Sequence, residues 1–523
     1  MKRAVSVFFC LIFSLALLLL RLFSIAAGGS VPGAQAGGTL TVEAARGRGF
    51  IYDRNGLPFV NETAQLAAVA APLETVPRIL RAVSGAEDFA AAYARLSKGY
   101  PAVLPVREEV TGRGVFTVRA PVRYSADFLI PHIAGYCDAT GHGVCGLEKT
   151  YDSLLSERIC TVTFDADAAG RVLCGGNTRI DDGGLWSRSG VVLTIEKRLQ
   201  AMMRDAMLRS DIRKGAAVLL DAQTGEIRAM VSLPEFDPAN PQRSLQSADA
   251  PFLNRALCPV SVGSVYKMLV AAAALEQGVG EDFTYTCTGE TLQDDVTFHC
   301  HQRAGHGTLD LAGAMAESCN PWFIHLLREI PVDSLLNLSR RMGLGSAVTL
   351  CDDVVCGAGT VPESGELQTD AARANIAFGQ GRLTAAPLQI AAATAACVNG
   401  GTYHEPRLID AILHADGSRT AMQAAMPEHV LSAGTSERIR RLLIYAAGQT
   451  RQITCADCGG KTATAQTGIF HAGREQLNTW YSGFFPAENP QYVLTILCED
   501  GTSGAGDCAP VFDAVAAQME KNH

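Results

Sequence analysis

Hydrophobic and polar positions divide the chain into segments of different kinds. From Ala4 to Leu20 no residue is charged, and Arg21 is followed by Leu-Phe-Ser-Ile-Ala-Ala. Such a run exceeds the ~7–15 apolar residues of a signal peptide and approaches the ~20 needed to span a bilayer. It predicts an uncleaved anchor over 4–27, preferred to a cleaved signal, behind a cytoplasmic tail at 1–3. Lys2 and Arg3 favour the orientation with the N-terminus inside. Glycine and small residues over 28–38 read as a tether, part of a linker at 28–45. Next comes a region with an Ala-rich helix over 78–96 and several short strand-like runs. The pairs Gly175-Gly176 and Gly183-Gly184 mark its end, giving a module at 46–189 and a second domain at 190–520. In that domain, 196–210 reads as helix. Apolar strands at 216–221 and 226–232 flank the turn Ala222-Gln223-Thr224-Gly225. Helical patterning dominates 264–396, and strands return at 461–466, 479–485 and 492–498. Strands at both ends with helices between them predict an α+β domain whose sheet both termini complete.

Composition narrows the class. Over 523 residues the chain is 48% hydrophobic and 19% charged, ample for a sizeable core and unlike a disordered protein. A net charge of −9 excludes a non-specific nucleic-acid binder with a broad basic face. Export to an oxidising compartment makes local disulfides plausible for Cys137/Cys145, Cys160/Cys174, Cys287/Cys300, Cys351/Cys356, Cys455/Cys458 and Cys498/Cys508. Zinc binding by Cys287, His299, Cys300, His301 and His306 matches no common spacing, so disulfide or thiol is the expectation there. Neither a metal nor a cofactor is expected.

Three short motifs carry the chemistry. Ser264-Val265-Tyr266-Lys267 precedes the helical run Met-Leu-Val-Ala-Ala-Ala-Ala-Leu-Glu, which puts Ser264 in a first helical turn with Lys267 on the same face. A desolvated lysine can act as base to a serine that is otherwise a poor nucleophile. Alone, the pair equally describes a capping serine and a solvated lysine. Ser318-Cys319-Asn320 precedes Pro321, so Asn320 also reads as a helix N-cap before proline. Lys461-Thr462-Ala463-Thr464 follows Gly459-Gly460 and reads as a strand that a ligand's backbone can approach. Only eight lysines occur, and two of them fall on the motif positions that need one. In this order the three motifs form the signature of serine β-lactamases and penicillin-binding proteins, far more specific than any one of them.

The resemblance covers nearly the whole chain. It resembles a class B penicillin-binding protein, of the penicillin-binding protein 2, division or sporulation transpeptidase type. Arg48-Gly49-Phe50-Ile51-Tyr52-Asp53-Arg54-Asn55-Gly56 is similar to the opening of that family's non-catalytic module, and Gly146-Leu147-Glu148 with Tyr151-Asp152 to its end. Thr224-Gly225-Glu226-Ile227, Pro234-Glu235-Phe236-Asp237 and Asn254-Arg255-Ala256 resemble the approach to the active serine. Phe378-Gly379-Gln380-Gly381, with Thr384 and Pro387-Leu388-Gln389, resembles a further hallmark.

The resemblance implies the penicillin-recognising serine transferase fold, an antiparallel sheet flanked by helical clusters, behind an elongated α+β pedestal or dimerisation module. It implies a membrane-anchored peptidoglycan D,D-transpeptidase with its catalytic domain outside the cytoplasm. Ser264 would attack the penultimate D-Ala carbonyl of a stem peptide, with Lys267 as base. Ser318 would relay a proton to the leaving amine, Asn320 would hold the substrate amide, and Lys461 would lower the pKa of Lys267. Thr462 and Thr464 would bind the terminal carboxylate, and backbone N–H groups of Ser264 and Thr464 would form the oxyanion hole. An amine of a neighbouring stem would take the acyl group, and β-lactams would trap Ser264. Ala463 stands where the family has glycine; an added methyl could narrow the cleft or alter antibiotic acylation, and as the smallest such change it is expected to leave activity intact. Cys319 reads as a small buried filler in preference to a redox-sensitive partner. Implied partners are stem peptides, β-lactams, a membrane glycosyltransferase and proteins of the divisome or elongasome. A carboxypeptidase or β-lactamase would pass the acyl group to water. The catalytic glutamate of class A β-lactamases has no counterpart here, since Glu475 follows the Lys-Thr motif. A non-catalytic penicillin sensor or scaffold is disfavoured by the intact triplet.

Overall fold

The computed structural model describes residues 2–26, 38–173, 176–280, 282–471 and 473–521. Most of the tether at 28–38, together with Met1, Cys174 and Gly175, lies outside them. The chain forms two compact units. The first comprises Met1–Gly47, Ala64–Pro121 and Arg158–Trp186, the second Arg48–Thr63, Val122–Glu157 and Ser187–His523.

In the first unit, Lys2–Ala26 is a 25-residue helix. Its side chains are described at Phe8 and over 11–23, where the large apolar residues from Leu11 to Phe23 are exposed. Among the described residues no helix is long and apolar enough to cross a membrane. Thr39–Gly47, Arg158–Asp165 and Thr178–Asp181 form one antiparallel sheet. A second sheet orders Ala102–Val106, Thr63–Ala70 and Val115–Val122. The helix read over 78–96 is two helices, Val76–Val83 and Ala86–Leu96, with extended Ser84 and Gly85 between them. Glycine costs about 1 kcal/mol against alanine inside a helix and sits well outside one.

The second unit is built on a five-stranded antiparallel sheet. Its strands are β1 (Gly215–Asp221), β2 (Ile227–Leu233), β3 (Gly459–His471), β4 (Arg474–Phe485) and β5 (Tyr492–Glu499), in the spatial order β2-β1-β5-β4-β3. Both ends of the domain thus complete one sheet, as the sequence predicts. The apolar run of β1 is buried throughout because its side chains alternate between two covered faces. Ala216, Val218 and Leu220 join one core with the helices Lys267–Glu276 and Pro387–Val398. Ala217 and Leu219 join another with the helices Lys197–Arg209 and Ala509–Glu520. β3 and β4 extend past the predicted strands as a hairpin whose Ile469 and Phe470 are exposed.

Two early motifs meet within this unit. The Arg48 guanidinium reaches Glu148 at 3.1 Å and Asp152 at 2.9 Å, and Arg123 reaches Glu148 at 2.6 Å. Asp53 accepts from the N–H groups of Asn55 and Leu57, both at 2.8 Å, and of Lys197 at 3.2 Å. Phe50–Tyr52 pairs in parallel with Gly190–Leu193. The cysteines whose side chains are described are free thiols, contrary to the local disulfides expected for Cys137/Cys145, Cys287/Cys300, Cys351/Cys356, Cys455/Cys458 and Cys498/Cys508, while the Cys160/Cys174 pair falls partly outside the described residues. Cys351 and Cys356 share a hairpin, but Cys351 faces Val354 and Cys356 faces Val348, so they are not opposed.

Candidate active site

Ser264 sits in a 3-10 turn, Gly263–Tyr266, that runs directly into the helix Lys267–Glu276. That helix is apolar on every side, and its residues from Lys267 to Ala274 are buried, as such a pattern requires. Gly263 holds φ +67°, and a Cβ there would lie 3.0 Å from the Ala465 methyl and 3.4 Å from that of Ala463. The turn therefore lies directly against β3. Its other wall is the Phe378-Gly379-Gln380-Gly381 hallmark, where the Gly263 N–H donates to the Gly379 carbonyl at 2.8 Å.

Lys267 is fully buried. Its Nζ lies 2.7 Å from the Ser318 carbonyl, 3.1 Å from Ser318 Oγ and 2.7 Å from Asn320 Oδ1. The Phe323 ring lies beneath it, 5.3 Å away. Burial first, and then the charge of Lys461, hold Lys267 well below the usual lysine range. A neutral amine has two N–H donors and one lone pair, which suits the two carbonyl oxygens and the Ser318 hydroxyl. Ser318 takes a left-handed φ of +52°. Asn320 is the first residue of the helix Asn320–Arg328, not its N-cap; Cys319 occupies that position. With its side chain engaged by Lys267, Asn320 serves the loop and not the helix end.

Lys461 is buried on β3, with Nζ 3.1 Å from the Thr462 carbonyl, and burial lowers its pKa to about 8. Along this strand Lys461, Ala463 and Ala465 are buried, while Thr462, Thr464 and Gln466 face outwards. A cavity of about 650 Å³ opens over the serine, with Ser264, Asn320, Thr464, Gln466, Gln380 and Cys300 on its wall. Of the two alternatives for Ala463, narrowing of the cleft is not what the geometry gives, because strand alternation points its methyl at Gly263. The structure therefore brings Ser264, Lys267, Ser318, Asn320, Lys461 and Thr464 to one place, with Thr462 on the same strand face as Thr464.

Residues that the motifs did not single out also line the cavity. Phe298, Cys300 and Arg303 come from a segment of short strands after the serine helix, and Asn375 from the helix Asp370–Ala377. Phe378 and Gln380 on the same wall had a signal as part of the Phe-Gly-Gln-Gly hallmark, and Cys300 only as a candidate for a disulfide or zinc.

Residues 215–517 match the family model described as the penicillin binding protein transpeptidase domain. The chain belongs to that family. Stage V sporulation protein D of Bacillus subtilis is 26% identical to this penicillin-binding protein over 498 residues, which is 87% of this chain and 74% of the relative. Penicillin-binding protein PbpB of Mycobacterium tuberculosis is 29% identical over 427 residues, 76% of this chain but only 61% of the relative. Peptidoglycan D,D-transpeptidase FtsI of Escherichia coli is 26% identical over 409 residues, 75% of this chain and 66% of the relative. Among solved structures, penicillin-binding protein 3 of Mycobacterium tuberculosis superimposes with a TM-score of 0.67 at 24% identity, covering 92% of this chain and 97% of that one. The α+β transpeptidase fold that the resemblance implies is thereby confirmed.

Proposed function

We propose that this protein is a serine-type peptidoglycan D,D-transpeptidase that cross-links stem peptides through an acyl-serine. The observation that carries the reading is Lys267. It is desolvated and held beside Ser318 and Asn320, one helical turn from Ser264, with Lys461 as the neighbouring cation.

Ser264 Oγ attacks the penultimate D-Ala carbonyl while neutral Lys267 takes its proton. The resulting ammonium finds three acceptors already in place on the Ser318–Asn320 loop. Backbone N–H groups of Ser264 and Thr464 receive the developing oxyanion. As the tetrahedral intermediate collapses, the Ser318 hydroxyl gives its proton to the leaving D-Ala amine and recovers one from Lys267 across 3.1 Å. Thr462 and Thr464 hold the terminal carboxylate. An amine of a second stem then attacks the acyl-serine, releases Ser264 and forms the cross-link. β-Lactams stop the cycle at the acyl-serine. The relatives named D,D-transpeptidase support this assignment.

An N-terminal anchor completes the proposal. It rests on the uncharged run from Ala4 to Leu20, which approaches the ~20 residues of a bilayer span, and not on the described helix by itself. Its exposed leucines suit lipid. We assign 46–189 as the non-catalytic module, and a membrane glycosyltransferase with divisome or elongasome proteins as partners.

A fluorescent penicillin tests the reading. Wild type should be labelled and Ser264→Ala should not. Unlabelled wild type overturns the transpeptidase assignment, and a labelled mutant overturns the choice of nucleophile.

A further inference from the structure

The turn that follows the last strand of the sheet reaches the threonine side of the cleft. Residues 501–507 lie between β5 and the helix Ala509–Glu520. Thr464 of β3 stands directly opposite Thr479 of β4, so their side chains share one face of the sheet. The turn rests on the backbone of the same two strands. A Cβ on Gly504 would collide with the backbone of Ala463 and Trp480, so only glycine allows this approach. In that position the Gly504 N–H donates to Thr464 Oγ1 at 3.4 Å.

Asp507 holds the turn in place. Its Oδ2 accepts from the Thr502 N–H at 2.7 Å, the Ser503 N–H at 2.9 Å and the Thr479 hydroxyl at 2.9 Å. Its Oδ1 accepts from the Thr502 hydroxyl at 3.0 Å. Thr479 is fully buried, so the carboxylate ties the turn to β4 within the fold. The Gly501 N–H adds a bond to the Leu477 carbonyl at 3.1 Å. We propose that Asp507 is a positioning residue for the substrate's terminal carboxylate. By seating the turn on the sheet it places the Gly504 N–H on Thr464 Oγ1, which aims the Thr464 proton at the ligand.

The chemistry follows from the hydroxyl itself. A threonine oxygen carries one proton and two lone pairs, and the proton rotates to suit its partners. With an N–H donated to the oxygen, the proton turns away from the 501–507 turn. Among the described residues that proton has no acceptor, while Thr464 stands on the wall of the cavity over Ser264. A carboxylate entering the cavity supplies the acceptor, and a hydrogen bond to an ionised oxygen is about twice as strong as a neutral one. Asp507 is not on the cavity wall, so it acts through Thr464 and does not touch the substrate. None of the three motifs reaches this turn. The inference rests on the transpeptidase reading, in which Thr464 meets the terminal carboxylate.

The test compares Ser264 acylation by a penicillin and by its methyl ester, which lacks the charged carboxylate, on the full chain in detergent. Second-order rates are taken per protein that labels, so an unfolded fraction lowers the amplitude and not the rate. Asp507→Ala should slow the penicillin by about tenfold or more, the worth of one hydrogen bond to a charged group. The slower reaction with the ester should stay within about twofold of wild type. Asp507→Asn should recover most of the rate, because its amide oxygen can accept the three bonds of Oδ2 and its N–H can donate to Thr502 Oγ1. With Thr464→Val already in place, Asp507→Ala should slow the penicillin no further. If Asp507→Ala does not fold, Thr479→Val removes one tie to the carboxylate and should give the same selective loss, about threefold. Undiminished penicillin acylation, equal slowing of penicillin and ester, or additive losses in the double variant each overturn the proposal and leave the transpeptidase reading intact. Wild type that penicillin does not label overturns that reading, and the proposal falls with it.

Discussion

At the scale of single residues, the two lysines set the pH behaviour. Burial brings Lys461 to about 8, so its charge is present below that pH and is lost as pH rises through it. Lys267 lies well below the usual lysine range, which suits the base proposed for Ser264. Loss of the Lys461 charge removes the field that keeps Lys267 deprotonated and attracts the substrate carboxylate. Penicillin acylation followed against pH should therefore fall on the alkaline side near pH 8. Lys461→Arg, whose guanidinium stays charged, should remove that limb. The methyl of Ala463 belongs to a different argument. It packs towards Gly263, so Ala463→Gly should change acylation by less than about threefold. Gly263→Ala forces a left-handed alanine onto Ala465 and should cost about 1–2 kcal/mol of stability in urea unfolding. Ser264, Lys267, Ser318, Asn320 and Lys461 were legible because their chemistry fixes residue type and spacing. The facing of Ala463 was not, because it depends on which side of the strand the serine turn packs.

Among the elements, long periodic or wholly apolar segments were readable and short ones were not. The serine helix and the five sheet strands follow from runs of buried residues. The strands between 285 and 309 escaped notice because each spans three or four residues with polar sides exposed, inside a stretch that otherwise reads as helical. Contacts between elements are also invisible along the chain. Thr394 of the helix Pro387–Val398, Ser482 of β4 and Thr495 of β5 form a buried hydroxyl chain with two links of 2.7 Å, and Thr394 also bonds the Ile390 carbonyl. This chain docks the helix on the sheet. Thr394→Val keeps the shape but leaves Ser482 one partner short in a dry core. It should lower stability by about 1–3 kcal/mol, measured as a shift of the urea midpoint at constant slope. Thr394→Ser should recover most of the loss.

Over the whole molecule, the sequence placed one cut near residue 189, whereas the compact unit that carries the catalytic site also takes in Arg48–Thr63 and Val122–Glu157. The motifs that resemble the start and end of the N-terminal module explain why. Glu148 is fully buried between Arg48 and Arg123, so the charged residues of those motifs form an internal ion network and not a surface feature. Its removal takes the carboxylate from Arg123 and leaves Arg48 with Asp152 alone. Glu148→Ala should destabilise the catalytic unit by about 3–5 kcal/mol in chemical unfolding. Glu148→Gln, which can still accept hydrogen bonds, should cost less.

The same packing makes a prediction about where the chain can be divided. Ile51, Phe59 and Val60, together with Phe128, Ile130, Ile133, Leu147 and Leu155, belong to the core that contains the serine helix. Phe50–Tyr52 also supplies the parallel partner of Gly190–Leu193. A fragment beginning at residue 190 keeps every catalytic motif but loses these apolar side chains and that strand. At roughly 25 cal/mol per Å² of newly exposed apolar surface, the loss is large against the 5–15 kcal/mol that holds a typical protein together. The 190–523 fragment should therefore be less soluble and melt lower than 46–523, and should bind a hydrophobic dye. Its penicillin labelling should fall in proportion to the folded fraction. Equal melting temperatures for the two fragments would show that residues 48–63 and 122–157 only decorate the catalytic unit.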